Sequence, residues 1–226
     1  MSLNTGGAQD VKAVLFDLDG TFVDTAPDMA RALNIIRADR GLDALPHETI
    51  RPHVSRGARG MIEVGFGIDG QHDGFPVLRD AFYEEYLRNL CVESTLFDGI
   101  DALMVALEHK GVAWGIVTNK AARFALPIAQ TLGFAHRAAC IVCGDTTAHT
   151  KPHPAPLLHA AGLIGVAPRH TLYVGDDARD IEAATAAGMR GVAAAYGYIA
   201  TGSDPQSWGA IFSIARPADL MFQSVW

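Results

Sequence analysis

The chain has 226 residues, and 49% of them are hydrophobic, which is enough for a full core in one large domain or in a core with an inserted unit. The formal net charge of −7 argues against nucleic acid as a partner. No apolar run approaches the ~20 residues of a membrane span, and no charged leader is followed by an apolar stretch, so we expect a cytoplasmic protein that does not bind a membrane. Residues 1–10 are polar and Gly-rich, and the fold prediction leaves them out.

The first predicted element is a buried strand over the apolar run 11–16, which ends in an Asp-x-Asp-Gly-Thr segment at residues 17–21. Open α/β sheets bind ligands at the carboxyl ends of their strands, so we expect Asp17 and Asp19 to lie in a ligand crevice. Gly20 provides the permissive backbone for the tight turn. The alternative is an acidic turn that only caps the next helix.

A helical cap is predicted next, because residues 25–96 carry helix signals without a rhythm of strands and crossovers. The first helix is expected to start at Thr25, with Pro27 and Asp28 in its first turn, and to end near Gly41. Three further helices are predicted over residues 46–54, 58–66 and 75–90. A cap inserted directly after the two acids would close over them, exclude water and select the leaving group.

Within the cap, residues 55–60 form a Gly-flanked basic loop at a predicted helix start. Arg56, Gly57 and Arg59 could bind an anionic substrate group there. Our hypothesis is that Arg59, with Arg56 as a second candidate, binds a substrate carboxylate or sugar. The alternative is a solvated turn with two surface arginines.

From residue 97 onward, helices and strands alternate, which predicts a parallel sheet covered on both faces. The predicted strands are 112–117, 140–143, 171–174 and 191–195, and the predicted helices are 100–109, 121–132, 156–161 and 181–187. The predicted fold class is therefore α/β, with a Rossmann-like parallel sheet as the core (residues 1–24 and 97–226) and an inserted helical cap (residues 25–96).

Polar groups suited to phosphate follow two more of these strands. Thr118, followed by Asn119 and Lys120, ends the strand 112–117, and its hydroxyl and the nearby backbone donors could hold phosphate oxygens. Lys151 is one of only four lysines, against fourteen arginines, and Pro152 and Pro154 follow it. The prolines fix the backbone, so a rigid loop would present the ammonium, although a surface lysine is the simpler alternative.

A last acidic turn follows the strand 171–174. Asp176 lies at the turn itself, and Asp177 and Asp180 lie at the start of an Ala-rich helix, which they could also simply cap. Asp176 is well placed to meet Asp17 and Asp19 across the crevice. Oxygen ligands from three acids suit Mg²⁺.

Taken in order, these four segments resemble the four motifs of the haloacid dehalogenase superfamily, in its phosphatase branch, over nearly the whole chain. The resemblance implies that Asp17 is a nucleophile that forms an aspartyl-phosphate. Asp19 would protonate the leaving alkoxide and later deprotonate the attacking water. Thr118 and Lys151 would bind the equatorial oxygens of the transferred phosphoryl group.

The resemblance also implies a Mg²⁺ ion held by Asp17, the backbone carbonyl of Asp19, and Asp176, with Asp180 acting behind them or through water. The substrate would be a small phosphate ester. Further contacts to it are expected from Gly20, Thr21, Asn119 and the basic loop of the cap. We expect the protein to be a monomer or a homodimer.

The subfamily stays open at this point. The cap type and the helix after Asp176 resemble phosphoglycolate phosphatases, whereas residues 54–61, 114–120, 196–199 and 208–210 resemble N-acetylmuramic acid 6-phosphate phosphatases. A sugar phosphomutase would share every catalytic residue. Its cap would have to handle a sugar bisphosphate, however, and the absence of lysine from the predicted cap argues against this alternative. A non-catalytic regulator of the same fold would be expected to lose one or more of Asp17, Asp19, Lys151 and Asp176, and all four are present.

The cysteines are predicted to be structural. Cys140 and Cys143 lie three residues apart in a predicted strand, so they should point to opposite faces of the sheet and share neither a metal nor a disulfide. Cys91 is expected to pack in a helix.

Overall fold

The structure of the protein is a computed structural model, and it describes residues 10–223, 225 and 226. Residues 1–9, most of the segment that the fold prediction leaves out, lie outside the described residues. In the described part of the chain, no helix combines the length and the apolar character needed to cross a membrane.

A parallel sheet forms the centre of the fold. The strands, in chain order, are β1 (Ala13–Phe16), β2 (Val23–Asp24), β3 (Thr95–Leu96), β4 (Ala113–Val117), β5 (Ile141–Val142), β6 (Thr171–Gly175), β7 (Arg190–Ala194) and β8 (Phe212–Ile214). Among the described residues, six of these strands form one sheet in the order β5-β4-β1-β6-β7-β8, with every pair parallel. The remaining two, β2 and β3, pair antiparallel.

Helices cover both faces of the sheet and form the cap. In chain order they are α1 (Ala26–Ala38), α2 (His47–Ile50), α3 (Gly57–Phe66), α4 (Phe75–Arg88), α5 (Ile100–His109), α6 (Ala122–Thr131), α7 (Ala155–Ile164) and α8 (Ala178–Ala186). The apolar residues of α5 and α6 pack on one face of the sheet, and those of α7 and α8 pack on the other. The predicted α/β class with a parallel sheet is confirmed.

The strands are buried because their side chains are apolar on both faces. Val14 and Phe16 belong to the core cluster of one face, and Leu15 between them belongs to the cluster of the other. Cys143 and Cys140 divide in the same way, and both are free, which confirms that they lie on opposite faces. This alternation is the two-residue period of a strand.

Helices α1 to α4, together with a 3₁₀ helix over Arg51–Arg56, are called the cap helices below. They lie between β2, which ends at Asp24, and β3, which ends at Leu96. The domain boundaries at 24/25 and 96/97 stay a prediction. Their apolar residues form a cluster of their own, which Phe124 and Tyr198 of the core join.

Two local predictions in the cap need correction. The helix predicted over residues 46–54 is divided into α2 and the 3₁₀ helix, because Pro52 has no N–H to continue the α-helical bonding. Cys91 does not pack in a helix: α4 ends at Arg88, and Cys91 follows in a turn with a φ of 59°. The strands β2, β3 and β8 were not predicted, since two or three residues are too few to establish a period.

Asp28 in the first turn of α1 holds the segment that leaves the cap. Its buried carboxylate accepts hydrogen bonds from the backbone N–H groups of Glu93 (3.0 Å) and Ser94 (2.9 Å) and from the Ser94 hydroxyl (2.5 Å). It also pairs with Arg31 at 2.7 Å. Burial alone would raise the pKa of Asp28, but these hydrogen bonds and the guanidinium outweigh it, so the pKa is lowered.

We expect Asp28→Asn to lower the free energy of unfolding at pH 7 by about 2 kcal/mol, because hydrogen bonds to a charged acceptor contribute about 1.5–3 kcal/mol each and the amide keeps only part of them. Since the folded-state pKa is the lower one, this stabilisation is present above the unfolded-state pKa and is lost as the pH falls through the folded-state pKa. The difference between the two proteins should therefore shrink below about pH 4.

Urea unfolding at pH 7 and at acidic pH measures this difference. The matched control is Asp80→Asn, because Asp80 pairs with Arg79 on the surface and is 60% exposed. An equal loss in both variants, or a loss that does not change with pH, would contradict the assignment.

Candidate active site

The central strands of the sheet end together at one edge. Strand β1 is in register with both of its neighbours, β4 and β6. Asp17 follows β1, Thr118 follows β4 and Asp176 follows β6. The N–H of Asp17 donates to the carbonyl of Val174 on β6 at 2.9 Å, which fixes the turn after β1 against its neighbour. Strands β4 and β5 lie on one side of β1, and strands β6, β7 and β8 lie on the other. The strand order therefore reverses at β1, and such a switch point forms a crevice for ligands at the carboxyl ends of the strands.

Three carboxylates meet in this crevice. Asp17, Asp176 and Asp180 each offer one oxygen atom, and these atoms lie within 4.8 Å of one another. The pKa of Asp176 is raised well above its usual range, first by burial and then by repulsion from Asp17 and Asp180. Burial also raises the pKa of Asp180 to about 6, with Asp17 adding to the effect and Lys151 opposing it. If all three groups were ionised, the cluster would carry more negative charge than the single ammonium of Lys151 neutralises.

This arrangement fits a hard divalent cation. The donors are all carboxylate oxygens, which Mg²⁺ prefers, and repulsion among them would be relieved by a bound positive charge. The cluster contains the predicted ligands Asp17, Asp176 and Asp180, whereas the side chain of Asp19 points to a different set of partners.

Asp176 is held in place by groups from several segments. Its carboxylate accepts hydrogen bonds from the Thr21 hydroxyl (2.9 Å), the backbone N–H of Tyr198 (2.8 Å) and the hydroxyl of Ser55 from the cap (3.1 Å). A Cβ atom added at Gly20 would lie 2.1 Å from an oxygen of Asp176. Gly20 and Thr21, which were predicted to bind the substrate, therefore contact this acid directly.

Lys151 lies at the centre of the acids. Its ammonium is 2.8 Å from Asp17 and 2.8 Å from Asp180, and it donates to the hydroxyl of Tyr173 at 2.6 Å and to the carbonyl of Val117 at 3.1 Å. Burial would lower the pKa of Lys151, but the two carboxylates outweigh it and raise the pKa. The lysine thus stays charged in a site where an anion would arrive.

Asn119 fixes the loop that carries this lysine. Its side-chain amide donates to the carbonyl of Lys151 (3.0 Å) and accepts from the N–H of Lys151 (2.9 Å). Both polar ends of the predicted substrate-binding side chain are therefore engaged with the Lys151 backbone. The hydroxyl of Thr118 is buried beside them and accepts from the N–H of Lys120 at 3.1 Å.

Asp19 lies in a separate electrostatic environment. Its carboxylate pairs with the ammonium of Lys120 at 2.9 Å and accepts a hydrogen bond from the Thr25 hydroxyl, so that hydroxyl does not cap α1. The Lys120 ammonium also lies 4.9 Å from the ring centroid of Tyr86 on α4. Burial opposes the charge, but Asp19 and Tyr86 outweigh it and raise the pKa of Lys120. No separate role was predicted for Lys120, which was named only as a residue that follows Thr118.

Asp177 has the capping role that the sequence left open. It is the N-cap of α8: its side chain accepts from the N–H of Arg179 (2.9 Å), and Asp180 accepts from the N–H of Asp177 (3.1 Å). Arg179 also makes two side-chain contacts to Asp177, at 2.8 and 2.9 Å, and donates to the carbonyl of Ser55 at 2.8 Å. The cap is thereby bonded to the helix that carries Asp180.

A cavity of about 450 Å³ extends from the acids to the cap helices. Arg56, Gly57 and Arg59 from the basic loop all line it. Arg56 is paired with Glu63 on α3, whereas Arg59 has no carboxylate partner in the described part of the chain. Of the two arginines, Arg59 is therefore the one whose charge is available to a ligand.

The cap is anchored to the core by one more arginine. Arg51 donates to the carbonyls of Gly197 (2.9 Å) and Tyr196 (3.2 Å), and its guanidinium lies 4.9 Å from the ring centroid of Tyr198. The hydroxyl of Tyr198 in turn donates to Asp24 at 2.6 Å, where the chain enters the cap. No local sequence pattern links these residues, because they lie far apart along the chain.

Known proteins match this chain over almost its whole length, in sequence and in structure. A protein of Pseudomonas putida named N-acetylmuramic acid 6-phosphate phosphatase is 44% identical over 210 residues, 93% of this chain and 94% of that protein. A protein of Xanthomonas campestris pv. campestris named phosphoglycolate phosphatase is 44% identical over 220 residues, 95% of this chain and 97% of that protein. The crystal structure of a predicted phosphoglycolate phosphatase from Haemophilus somnus has a TM-score of 0.83 and 28% identity, and the match covers 94% of this chain and 97% of the other.

The sequence profile of haloacid dehalogenase-like hydrolases matches residues 14–194. This span runs from β1 to the end of β7, so it includes the strand ends that carry Asp17, Thr118 and Asp176. Together with the relatives aligned along almost the whole chain, it shows that the protein belongs to the haloacid dehalogenase-like hydrolase family.

Proposed function

We propose that the protein is a Mg²⁺-dependent phosphomonoesterase that hydrolyses a small anionic phosphate ester through an aspartyl-phosphate on Asp17. The observation that carries the proposal is that two carboxylates only two residues apart lie in different surroundings. Asp17 lies in the acid cluster beside Lys151, whereas Asp19 is paired with Lys120 outside it. Phosphoryl transfer through a covalent intermediate needs one carboxylate as a nucleophile and another to move protons.

In the first half-reaction, an oxygen of Asp17 forms a bond to phosphorus as the bond to the leaving oxygen breaks. Asp19 gives its proton to that alkoxide. In the second half-reaction, Asp19 takes a proton from water, whose oxygen attacks phosphorus and releases Asp17 and inorganic phosphate. Lys151 and Thr118 hold the equatorial oxygens of the phosphoryl group and stabilise their charge.

The residues that would hold Mg²⁺ are Asp17 and Asp176, with the backbone carbonyl of Asp19, and with Asp180 behind them. When bound, the cation would offset the repulsion between an anionic nucleophile and an anionic phosphate. Lys151 supplies part of the same compensation, since it contacts both Asp17 and Asp180 at 2.8 Å.

For the substrate we propose a sugar acid phosphate of the N-acetylmuramic acid 6-phosphate type, which one relative's name specifies. The cavity of about 450 Å³ lies in the range of about 300–1,000 Å³ typical of pockets for drug-sized ligands, so it has room for a sugar acid. Aromatic side chains of the cap, Phe75 and Tyr83 among them, line it and offer apolar surface to a sugar ring. The smaller alternative is 2-phosphoglycolate, as other relatives are named.

No observation favours the phosphomutase or the non-catalytic regulator. Retention of Asp17, Asp19, Lys151 and Asp176 argues against the regulator, whereas a phosphomutase would share these residues. Action in the cytoplasm as a monomer or homodimer stays a prediction.

The substrate proposal is tested by measuring kcat/KM for Mg²⁺-dependent phosphate release from N-acetylmuramic acid 6-phosphate and 2-phosphoglycolate in parallel. We expect a preference of about a hundredfold or more for the sugar acid, which corresponds to about 2.7 kcal/mol. The reverse preference would assign the smaller substrate. No release from either compound or from p-nitrophenyl phosphate would contradict the phosphatase proposal itself.

The nucleophile is tested with Asp17→Asn, which keeps the shape of the side chain and removes its charge. We expect kcat to fall by at least about three orders of magnitude, because no other group can form the covalent intermediate. The control is Asp98→Asn, an exposed residue outside the cavity, which should keep full activity. Circular dichroism establishes that both variants are folded, and persistent turnover by Asp17→Asn would refute the mechanism.

Metal binding is tested without activity, by thermal unfolding with and without Mg²⁺. A ligand at about a hundred times its Kd contributes about 2.7 kcal/mol, so we expect Mg²⁺ to raise Tm by about 5–10 °C. Asp176→Asn should lose most of this shift, since it removes one of the three clustered carboxylates, whereas Asp98→Asn should keep it. An equal Mg²⁺ shift in Asp176→Asn and the wild type would place the cation elsewhere.

A further inference from the structure

Most basic side chains on the cavity wall already have a carboxylate partner. Those with such a partner are Arg56, Arg79, Lys120, Lys151 and Arg179. Across residues 10–223, 225 and 226, the two cavity-lining arginines without one are Arg59, from the cap, and Arg123, from the core. Arg59 belongs to the loop that the sequence already marked as a candidate anion site. Arg123 was not predicted to have any role.

Arg123 is exposed to solvent, yet its guanidinium packs against two rings that contact each other. Its central carbon lies 4.8 Å from the ring centroid of Tyr83 on α4 and 4.7 Å from that of Phe124 on α6. The two rings are themselves 5.2 Å apart, so the guanidinium bridges cap and core. A guanidinium can pack on an aromatic ring and keep its N–H groups available for hydrogen bonds. None of those N–H groups donates to another described residue.

Arg123 lies in the same cavity as the proposed reacting residues. It lies at the start of α6, three residues beyond Lys120, and lines the same cavity as Asp17 and Lys151. A phosphate at Asp17 would meet Lys151 and the acid cluster. Arg123 makes no ion pair with the acids of the cluster, whose partner is Lys151. Its charge is available to a second anionic group on the part of the substrate that extends toward the cap.

We propose that Arg123 is a specificity-determining residue that binds a carboxylate of the substrate, remote from the phosphate. This inference rests on the proposed phosphatase function and defines the chemistry of its leaving group. A planar guanidinium with free N–H groups matches a carboxylate in a two-point contact. The rings of Tyr83 and Phe124 limit the orientations that the guanidinium can adopt, so it is arranged before the substrate arrives.

The test compares two sugar phosphates that differ in a single group. N-acetylmuramic acid 6-phosphate carries a lactyl carboxylate, and N-acetylglucosamine 6-phosphate lacks it. For Arg123→Met we expect kcat/KM for the first to fall by about ten- to a hundredfold, mainly through KM, as for a lost charge-assisted hydrogen bond. With the second, kcat/KM should stay within about twofold of the wild type. Arg123→Lys should recover part of the loss.

The matched control is Arg88→Met, because Arg88 lies on α4 outside the cavity and is 68% exposed. It should leave both substrates unaffected. Equal losses on both sugar phosphates in Arg123→Met would show a structural role and overturn the inference, and so would an unchanged preference. Turnover of p-nitrophenyl phosphate separates the two proposals: if the wild type hydrolyses it but does not prefer the carboxylate substrate, the carboxylate site is wrong while the phosphatase stands.

Discussion

The buried ammonium of Lys151, shared between Asp17 and Asp180, is the interaction on which the geometry of the site depends. A charge removed from water is tolerated only when it is closely paired, and here each partner lies 2.8 Å away. The pairing draws together the turn after β1, the start of α8 and the loop that carries Lys151. Asn119 then locks that loop to the end of β4. The crevice is therefore assembled by charge balance as much as by the sheet.

Asp17 and Asp19 lie on one turn but have different surroundings, because the partners of Asp17 belong to the core, whereas the partner of Asp19 also contacts the cap. Asp17 faces the acids that follow β6, whereas Asp19 faces Lys120, whose ammonium also contacts Tyr86 from the cap. Any displacement of α4 would change the environment of Lys120 and, through it, that of Asp19. In the proposed reaction, proton transfer is thus linked to the position of the cap, whereas the direct partner of the nucleophile Asp17 is Lys151 of the core.

The strand ends were predictable because each apolar run is long enough to define a buried strand and ends sharply in a polar residue. Asp17, Thr118 and Asp176 could be placed at one edge on that basis, since parallel strands leave little choice about where their carboxyl ends lie. The pairing of Lys120 with Asp19 could not, because the end of a strand predicts where the backbone lies but not which partner a side chain two residues further along contacts. The same holds for Arg123, whose partners are rings from two different helices.

Asp176 is enclosed by the backbones of two glycines. A Cβ atom at Gly20 would come within 2.1 Å of its carboxylate, and one at Gly197 would come within 2.2 Å of its Cβ and 2.4 Å of the Gly20 carbonyl. Two loops from opposite ends of the chain therefore close around one acid with no side chain between them. In a library of random substitutions, these two positions should be as intolerant as the reacting carboxylates, although neither glycine has a functional group. At this site, close packing of the backbone can thus restrict substitution as strongly as the reaction chemistry does.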